Sequence, residues 1–269
     1  PLASLAITAQ RISEGDLTAR ATVGKRALRE TAQLVEDFNR MAQRLQAHAE
    51  ERIAWNAKIA HELRTPVTIL RGRVQGLAEG VFPPERALFE GLLRQVEGLT
   101  HLIEDLRVLS LNDSGHLEIQ RTSVRLADEL STVLQAFAAP LTAKGFHLHN
   151  QLDANLRVEC DALRIRQALM ALLENALRHA DPGNLRVCLQ QVGDNCQLSV
   201  ADDGPGIDSA LAADIFEAFR RGDPSRSRKS GGSGLGLAVV KAIAEAHGGH
   251  AICQASGVGS LFIISWPVS

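Results

Sequence analysis

Four stretches of the chain carry side chains that could do chemistry. In the first, Ile59-Ala60-His61-Glu62-Leu63-Arg64-Thr65-Pro66, apolar positions recur at Ile59, Leu63, Pro66, Leu70, Val74 and Leu77. Steps of three and four mark the buried stripe of an amphipathic helix. At about 100° per residue, His61 and Thr65 each lie roughly 200° from Leu63, so both face away from the stripe and share a side. An imidazole aimed at solvent can be reached by another molecule; the plain alternative is a surface histidine on a bundle helix. Pro66 offers no N–H to the Glu62 carbonyl, which predicts a weakened or bent helix beside His61.

The second stretch, Leu172 to Ala180, places Leu169, Leu172, Leu173 and Leu177 on a core face and Asn175, Arg178 and His179 on another. A neutral amide oxygen suits a Mg²⁺ that keeps its waters and bridges phosphates, and Arg178 could offset a phosphate charge. A solvated helix face would look the same. In the third, Asp202-Asp203-Gly204-Pro205-Gly206-Ile207 follows the alternating Cys196, Leu198 and Val200. Asp202 has their parity, so its carboxylate is expected to point inward and to need a donor such as the exocyclic amine of adenine. Gly204 and Gly206 would let backbone approach a ligand, although Asp-Gly-Pro-Gly is also common turn chemistry. The fourth runs from Arg220 to Gly236, rich in Gly, Ser and Arg, and leads into a helix. Glycines before a helix N-terminus favour phosphate. No apolar strand precedes them and no Gly-Lys-Ser follows, which opposes a dinucleotide or Walker loop and favours a lid.

The elements that must position these groups follow from pattern and punctuation. With 269 residues, about two domains are expected, and 45% apolar with 22% charged residues is ordinary globular composition. A net charge of −2 argues against a nucleic-acid surface. Cys160, Cys188, Cys196 and Cys253 show neither C-x-x-C spacing nor clustering with His, so reduced thiols are expected. No apolar run approaches the roughly 20 residues needed to span a bilayer, and no signal peptide is visible, so a water-soluble chain is expected.

Leu2, Leu5, Ala9 and Ile12 begin a helix that stops near Gly15-Asp16; a linker anchored by Leu17 and Val23 follows. A second stripe at Leu34, Phe38, Met41 and Leu45 runs into the His61 helix without Gly or Pro from Glu30 to Thr65. Such a helix would transmit rotation or tilt. After Val81-Phe82-Pro83-Pro84 another stripe runs from Leu88 to Leu106. Two one-faced helices make half of a four-helix bundle, which predicts a homodimer. Beyond a hinge at Asn112 to Gly115, strands are expected near Leu117–Gln120, His147–Leu152, Leu185–Val192, Cys196–Ala201, His250–Gln254 and Leu261–Trp266. Helices are expected at Leu126–Lys144, Asp161–Ala180 and Leu235–His247, giving an α/β sandwich of one sheet and one helical layer.

His61 to Pro66 resembles, residue for residue, the phosphoacceptor motif of bacterial sensor histidine kinases. In order, the downstream motifs resemble those of the ATPase fold shared with gyrase, Hsp90 and MutL. The Asn175 helix is similar to the N box, Asp202-x-Gly204-x-Gly206 to the D box, Phe216 and Phe219 to the F box, and Gly232 to Gly236 to a glycine box. Pro1, Gly15-Asp16-Leu17 and Glu30 resemble, more loosely, the marks of a HAMP linker. The resemblance implies a multidomain chain, with HAMP at 1–50, a dimerisation and phosphotransfer hairpin at 51–113 and an ATP-binding domain at 114–269.

It also implies ATP and Mg²⁺, with Mg²⁺ on Asn175 and ATP held by Asn175, Arg178, His179, Asp202, Gly204, Gly206, Phe219, Arg228, Gly232, Gly234, Leu235 and Gly236. His61 would take the γ-phosphoryl group, Glu62 orient it or accept its proton, and Thr65 position water in the reverse, phosphatase reaction. A response-regulator aspartate would be the next acceptor. The chain would be the cytoplasmic portion of an inner-membrane protein, preceded by a membrane-spanning helix. Many family members carry Asn four residues before Asn175, and ATPase relatives a water-activating Glu; Ala171 stands there. That favours transfer over hydrolysis and keeps a scaffold with a degenerate kinase domain as the rival reading.

Overall fold

The computed structural model describes residues 2–23, 29–204, 206–208, 212, 214–219, 233–255 and 259–268. They fall into two compact units, Pro1–Pro84 and Glu85–Ser269. The first holds α1 (Leu2–Ser13) and α2 (Arg29–Ala78), the latter one helix of 50 residues assigned as helix through Pro66. Gly15, at φ 101°, ends α1 by taking a conformation that L side chains resist, and the Asp16 N–H returns to the Arg11 carbonyl at 2.9 Å. The connector then lies on α2 through polar clamps. The Asn39 amide pairs with both backbone groups of Ala21 at 2.9 Å each, and Arg20 donates to the Leu17 and Ala19 carbonyls and to Gln46 Oε1.

This changes the expected anchors. Ala19 and Ala21 are buried, whereas Val23 is 46% exposed, because a small side chain is what lets connector backbone come within reach of Asn39. Along α2, Val35 and Ala42, one heptad apart, form the face buried within the chain, while Leu34, Met41 and Leu45 of the expected stripe are exposed. At the other end, the Gly76 carbonyl accepts from Val81 and Phe82 N–H groups at 2.8 and 3.1 Å. The Phe82 ring covers Gly76 so closely that a Cβ there would stand 2.4 Å from it.

The second unit runs α3 (Arg86–Asp113), β1 (Thr122–Arg125), α4 (Leu126–Ala143), β2 (His147–Leu152), β3 (Arg157–Cys160), α5 (Ala162–His179), β4 (Asn184–Val192), β5 (Asn195–Asp202), α6 (Gly236–Ala246), β6 (His250–Ala255) and β7 (Ser260–Pro267). Five strands form one sheet in the order β2-β4-β5-β7-β6, parallel between β2 and β4 and antiparallel elsewhere. A separate antiparallel pair, β1-β3, adds a second small sheet to the single one expected. No strand forms at Leu117–Gln120; the Gln120 N–H donates to Asp161 Oδ2 at 3.2 Å, a side chain rather than a neighbouring strand.

Register builds the core face. Cys196 stands opposite Trp266, Leu198 opposite Ile264 and Val200 opposite Phe262, and all six are buried. Against them pack the apolar faces of α5 (Ile165, Leu169, Leu172, Leu173) and α6 (Val239, Val240, Ile243). His247, fully buried after α6, ties the helix ends together: its Nδ1 donates to the Ile243 carbonyl at 2.7 Å and its Nε2 accepts the Asp161 N–H at 3.1 Å. Those roles require the neutral imidazole. Burial lowers its pKa, and only its hydrogen bond to Ile243 and the Asp161 charge oppose that.

Candidate nucleotide and phosphoacceptor sites

β5 alternates exposed or half-buried with buried from Asn195 to Asp202, so parity delivers Asp202 to the interior, 8% exposed. Its Oδ1 accepts the Gly204 N–H at 2.8 Å, and the Ser260 N–H also donates to its carboxylate. Burial raises its pKa; those two donors pull it back and the Asp203 and Asp181 charges push it further up. Asp203, the next residue, lies on the opposite parity and is held by Asn184 Nδ2 at 2.7 Å and Arg186 at 3.0 Å, which keep it low. One aspartate of the pair is therefore a surface ion-pair partner, and the other an inward acceptor.

The turn after Asp202 fits tightly. A Cβ on Gly204 would stand 2.8 Å from Asp202 Oδ1 and 3.2 Å from the Asp181 nitrogen, which places this turn against the end of α5. Gly206 has φ 75°. From the other side a Cβ on Gly259 would meet the Asp202 carbonyl oxygen at 1.8 Å, so the start of β7 also rests on this residue. Sequence reasoning missed Gly259 and Ser260, because their place depends on the β5–β7 register.

α5 carries the remaining groups. Asn175 is half-buried, one residue past Glu174, and Arg178 pairs with Glu174 at 3.2 Å rather than standing alone. Loss of solvent and the neighbouring Arg178 charge lower the His179 pKa, which favours a neutral imidazole. The glycine segment enters α6 beside this helix: a Cβ on Gly236 would lie 3.6 Å from Ala171 Cβ, one turn before Asn175. Leu235 is buried, and Gly234, at φ 71°, accepts the Phe219 N–H on its carbonyl at 2.9 Å. Phe219 is at φ 60°, in the left-handed region, while Phe216 is core, edge-on to Phe262 at 6.4 Å. Arg228 and Gly232 lie outside the described residues.

Among the described residues no three His, Cys, Asp or Glu side chains gather to hold a metal. The donor on offer is the Asn175 amide, which fits an ion that takes most of its ligands from phosphate and water. In the other unit, His61 is exposed on α2, Glu62 is half-buried, and Thr65 Oγ1 donates to the His61 carbonyl at 3.4 Å, so the two share a face as their spacing predicts.

An open sheet covered by helices on one face, with an inward carboxylate ending a strand beside an asparagine-bearing helix, is the layout of a nucleotide-binding ATPase module. Residues 160–269 match the family described as histidine kinase-, DNA gyrase B- and HSP90-like ATPase; residues 51–115 match the His Kinase A (phospho-acceptor) domain and residues 1–47 the HAMP domain. The histidine kinase AdeS of Acinetobacter baumannii has a solved structure 39% identical in sequence, with a TM-score of 0.65, covering 78% of this chain and 98% of that one. The chain belongs to the sensor histidine kinases. Signal transduction histidine-protein kinase BaeS of Escherichia coli K12 is 36% identical over 266 residues, and sensor histidine kinase CusS of E. coli O157:H7 is 34% identical over 271. The chain spans 56% of the length of each of these two relatives.

Proposed function

We propose that this chain moves the γ-phosphoryl group of ATP onto His61 and then to an aspartate of a response regulator, and that the same helix supports dephosphorylation of the regulator. The observation that carries the reading is Asp202: a carboxylate turned inward at the end of β5, held by backbone donors and bordered by Gly204, has the form of an acceptor for an adenine amine. Asn175 would hold Mg²⁺, which would bridge phosphate oxygens and spread their charge. Arg178 would exchange Glu174 for phosphate, and Gly234 to Gly236 would lay the α6 N-terminus beside it. Exposure of His61 leaves its imidazole free to attack, with Glu62 to orient it or take its proton and Thr65 to position water in the reverse direction.

The large apolar side chains left open on α2 (Ile53 at 69%, Met41 at 60%) and on α3 (Leu93 at 60%, Ile103 at 54%) support a homodimer. The HAMP match supports segments 1–50, 51–113 and 114–269 acting as linker, dimerisation hairpin and catalytic domain. It also supports a place on the cytoplasmic side of a bacterial inner membrane; no described helix is long and apolar enough to cross one.

The test is incubation with γ-labelled ATP and Mg²⁺, wild type beside His61→Ala. Acid-labile, alkali-stable label in wild type and none in the variant is the expected result. Unchanged label in the variant, or none in a wild type that binds ATP, overturns the reading.

A further inference from the structure

β2 is an edge strand of the five-stranded sheet, and it opens with His147-Leu148-His149. Side chains alternate along a strand, so Leu148, opposite the buried Leu185, turns inward while both imidazoles stand exposed on the other face. Residues two apart on a strand lie roughly 7 Å apart along it, close enough for two imidazoles to meet at one atom.

The hydrogen bonds behind His149 bring the rings together. In the parallel pairing of β2 with β4, Asn184 stands opposite His147, and Arg186 opposite His149. Yet His149 Nε2 meets Asn184 Oδ1, at 3.0 Å, so its ring is drawn back along the strand to the level of His147. Asn184 Nδ2 donates to Asp203 Oδ2 at 2.7 Å, and Arg186 donates to Asp203 Oδ1 at 3.0 Å. With the amide turned this way its oxygen can only accept, and His149 Nε2 must carry the proton. The Nδ1 lone pair of His149 is left over. His147, without a side-chain partner among the described residues, offers a second nitrogen lone pair on the same face.

Any two hydrophilic residues would suit an exposed edge. A carboxylate–amide–imidazole line that sets one tautomer is not needed for that, whereas a metal-bound imidazole needs an acceptor on its far nitrogen to fix ring and tautomer. An open hollow of about 530 Å³ borders both histidines and reaches Thr142 of α4, which leaves room for water. The charge of Arg186, opposite His149, is offset by its ion pair with Asp203.

We propose that His147 and His149 form a two-imidazole site for a borderline divalent cation such as Zn²⁺, Ni²⁺ or Cu²⁺, with Asn184 and Asp203 positioning His149. Two protein nitrogens leave the remaining coordination positions to water. Imidazole suits these ions, whereas Mg²⁺ takes oxygen, so this site and the proposed nucleotide site draw on different cations. The inference is independent of the autokinase reading, since none of its residues belongs to that mechanism.

The experiment titrates Zn²⁺ calorimetrically into the full chain at pH 7.5, without nucleotide, beside His147→Gln, His149→Gln and Asn184→Ala. A Zn²⁺ event that survives excess Mg²⁺ and is lost in both Gln variants is the expected result. Asn184→Ala is expected to weaken it about tenfold. Ring-nitrogen NMR shifts of His149 are expected to report the Nε2–H tautomer in wild type and a mixture in Asn184→Ala; a single tautomer there would remove the positioning role. With one equivalent of Cu²⁺, electron paramagnetic resonance is expected to show two imidazole nitrogens in wild type, a measurement that decides the matter if a variant does not fold. No Zn²⁺ event in wild type, an undiminished one in either Gln variant, or fewer than two nitrogens on Cu²⁺ overturns the proposal.

Discussion

Ile53 on α2 is 69% exposed, whereas Trp266 on β7 is 1% exposed and Leu198 on β5 fully buried. The two regions use apolar residues differently. In the sheet, cross-strand pairs such as Val200 with Phe262 bury one another within a single chain. On α2, Val35 and Ala42 are buried within the chain, while Leu34, Met41, Leu45 and Ile53 are left exposed. The difference separates two tasks. A carboxylate held out of water needs close packing on every side; on the function proposed above, the face of α2 that carries His61 needs to stay open.

Core truncation breaks this comparison most strongly. Leu169→Ala is expected to cost the ATP-binding body about 2–5 kcal/mol, read as a loss of thermal midpoint. Ile53→Ala is expected to stay within about 0.5 kcal/mol for one chain and to show instead as weaker self-association in sedimentation. Equal losses in midpoint would erase the distinction.

A smaller effect tests whether close packing around Asp202 serves ligand binding rather than stability. Asp202→Asn is expected to weaken ATP binding by about 1.5–3 kcal/mol in calorimetry, while the thermal midpoint holds or rises because a buried charge has gone. A fall in midpoint with ATP affinity kept would make Asp202 a structural residue.

The smallest concerns His247. Its folded pKa lies below the ordinary 6.5, so the stability it contributes is present above 6.5 and is lost as pH falls below that value. Denaturant melts of the body between pH 7.5 and 5.5 should lose stability in wild type and lose less in His247→Gln. Matching slopes would remove His247 from the account. The linker unit, where no such buried imidazole is found among the described residues, should not share the slope.

Much of this was legible in the sequence because periodicity is local. The inward parity of Asp202 follows from alternation alone, β2 stands at the six residues where a strand is expected, and α4, α5 and α6 fall within a residue or two of their apolar stripes. β3 was missed because four residues with Val158 and Cys160 inward are too short a pattern to separate from a loop. Leu117 and Ile119 alternate like a strand, yet among the described residues no strand pairs with them. The pairing of Arg178 with Glu174 is an i, i+4 contact within α5 that spacing does carry, but the support of Asp202 by Gly259 and Ser260 depends on which segments meet in space. Spacing along one chain does not encode that.

The Asn39 clamp has a consequence for how the chain can change in length. Asn39 fixes the connector to α2 about six turns before His61, so on an unbroken helix the two positions are separated by only about 40° around the axis. One residue inserted between them would turn His61 by about 100° relative to the connector, whereas seven would turn it by about 20° and leave its heading nearly unchanged. The helix thus has a reading frame of seven, and insertions of a full heptad between clamp and histidine are the length changes it can absorb.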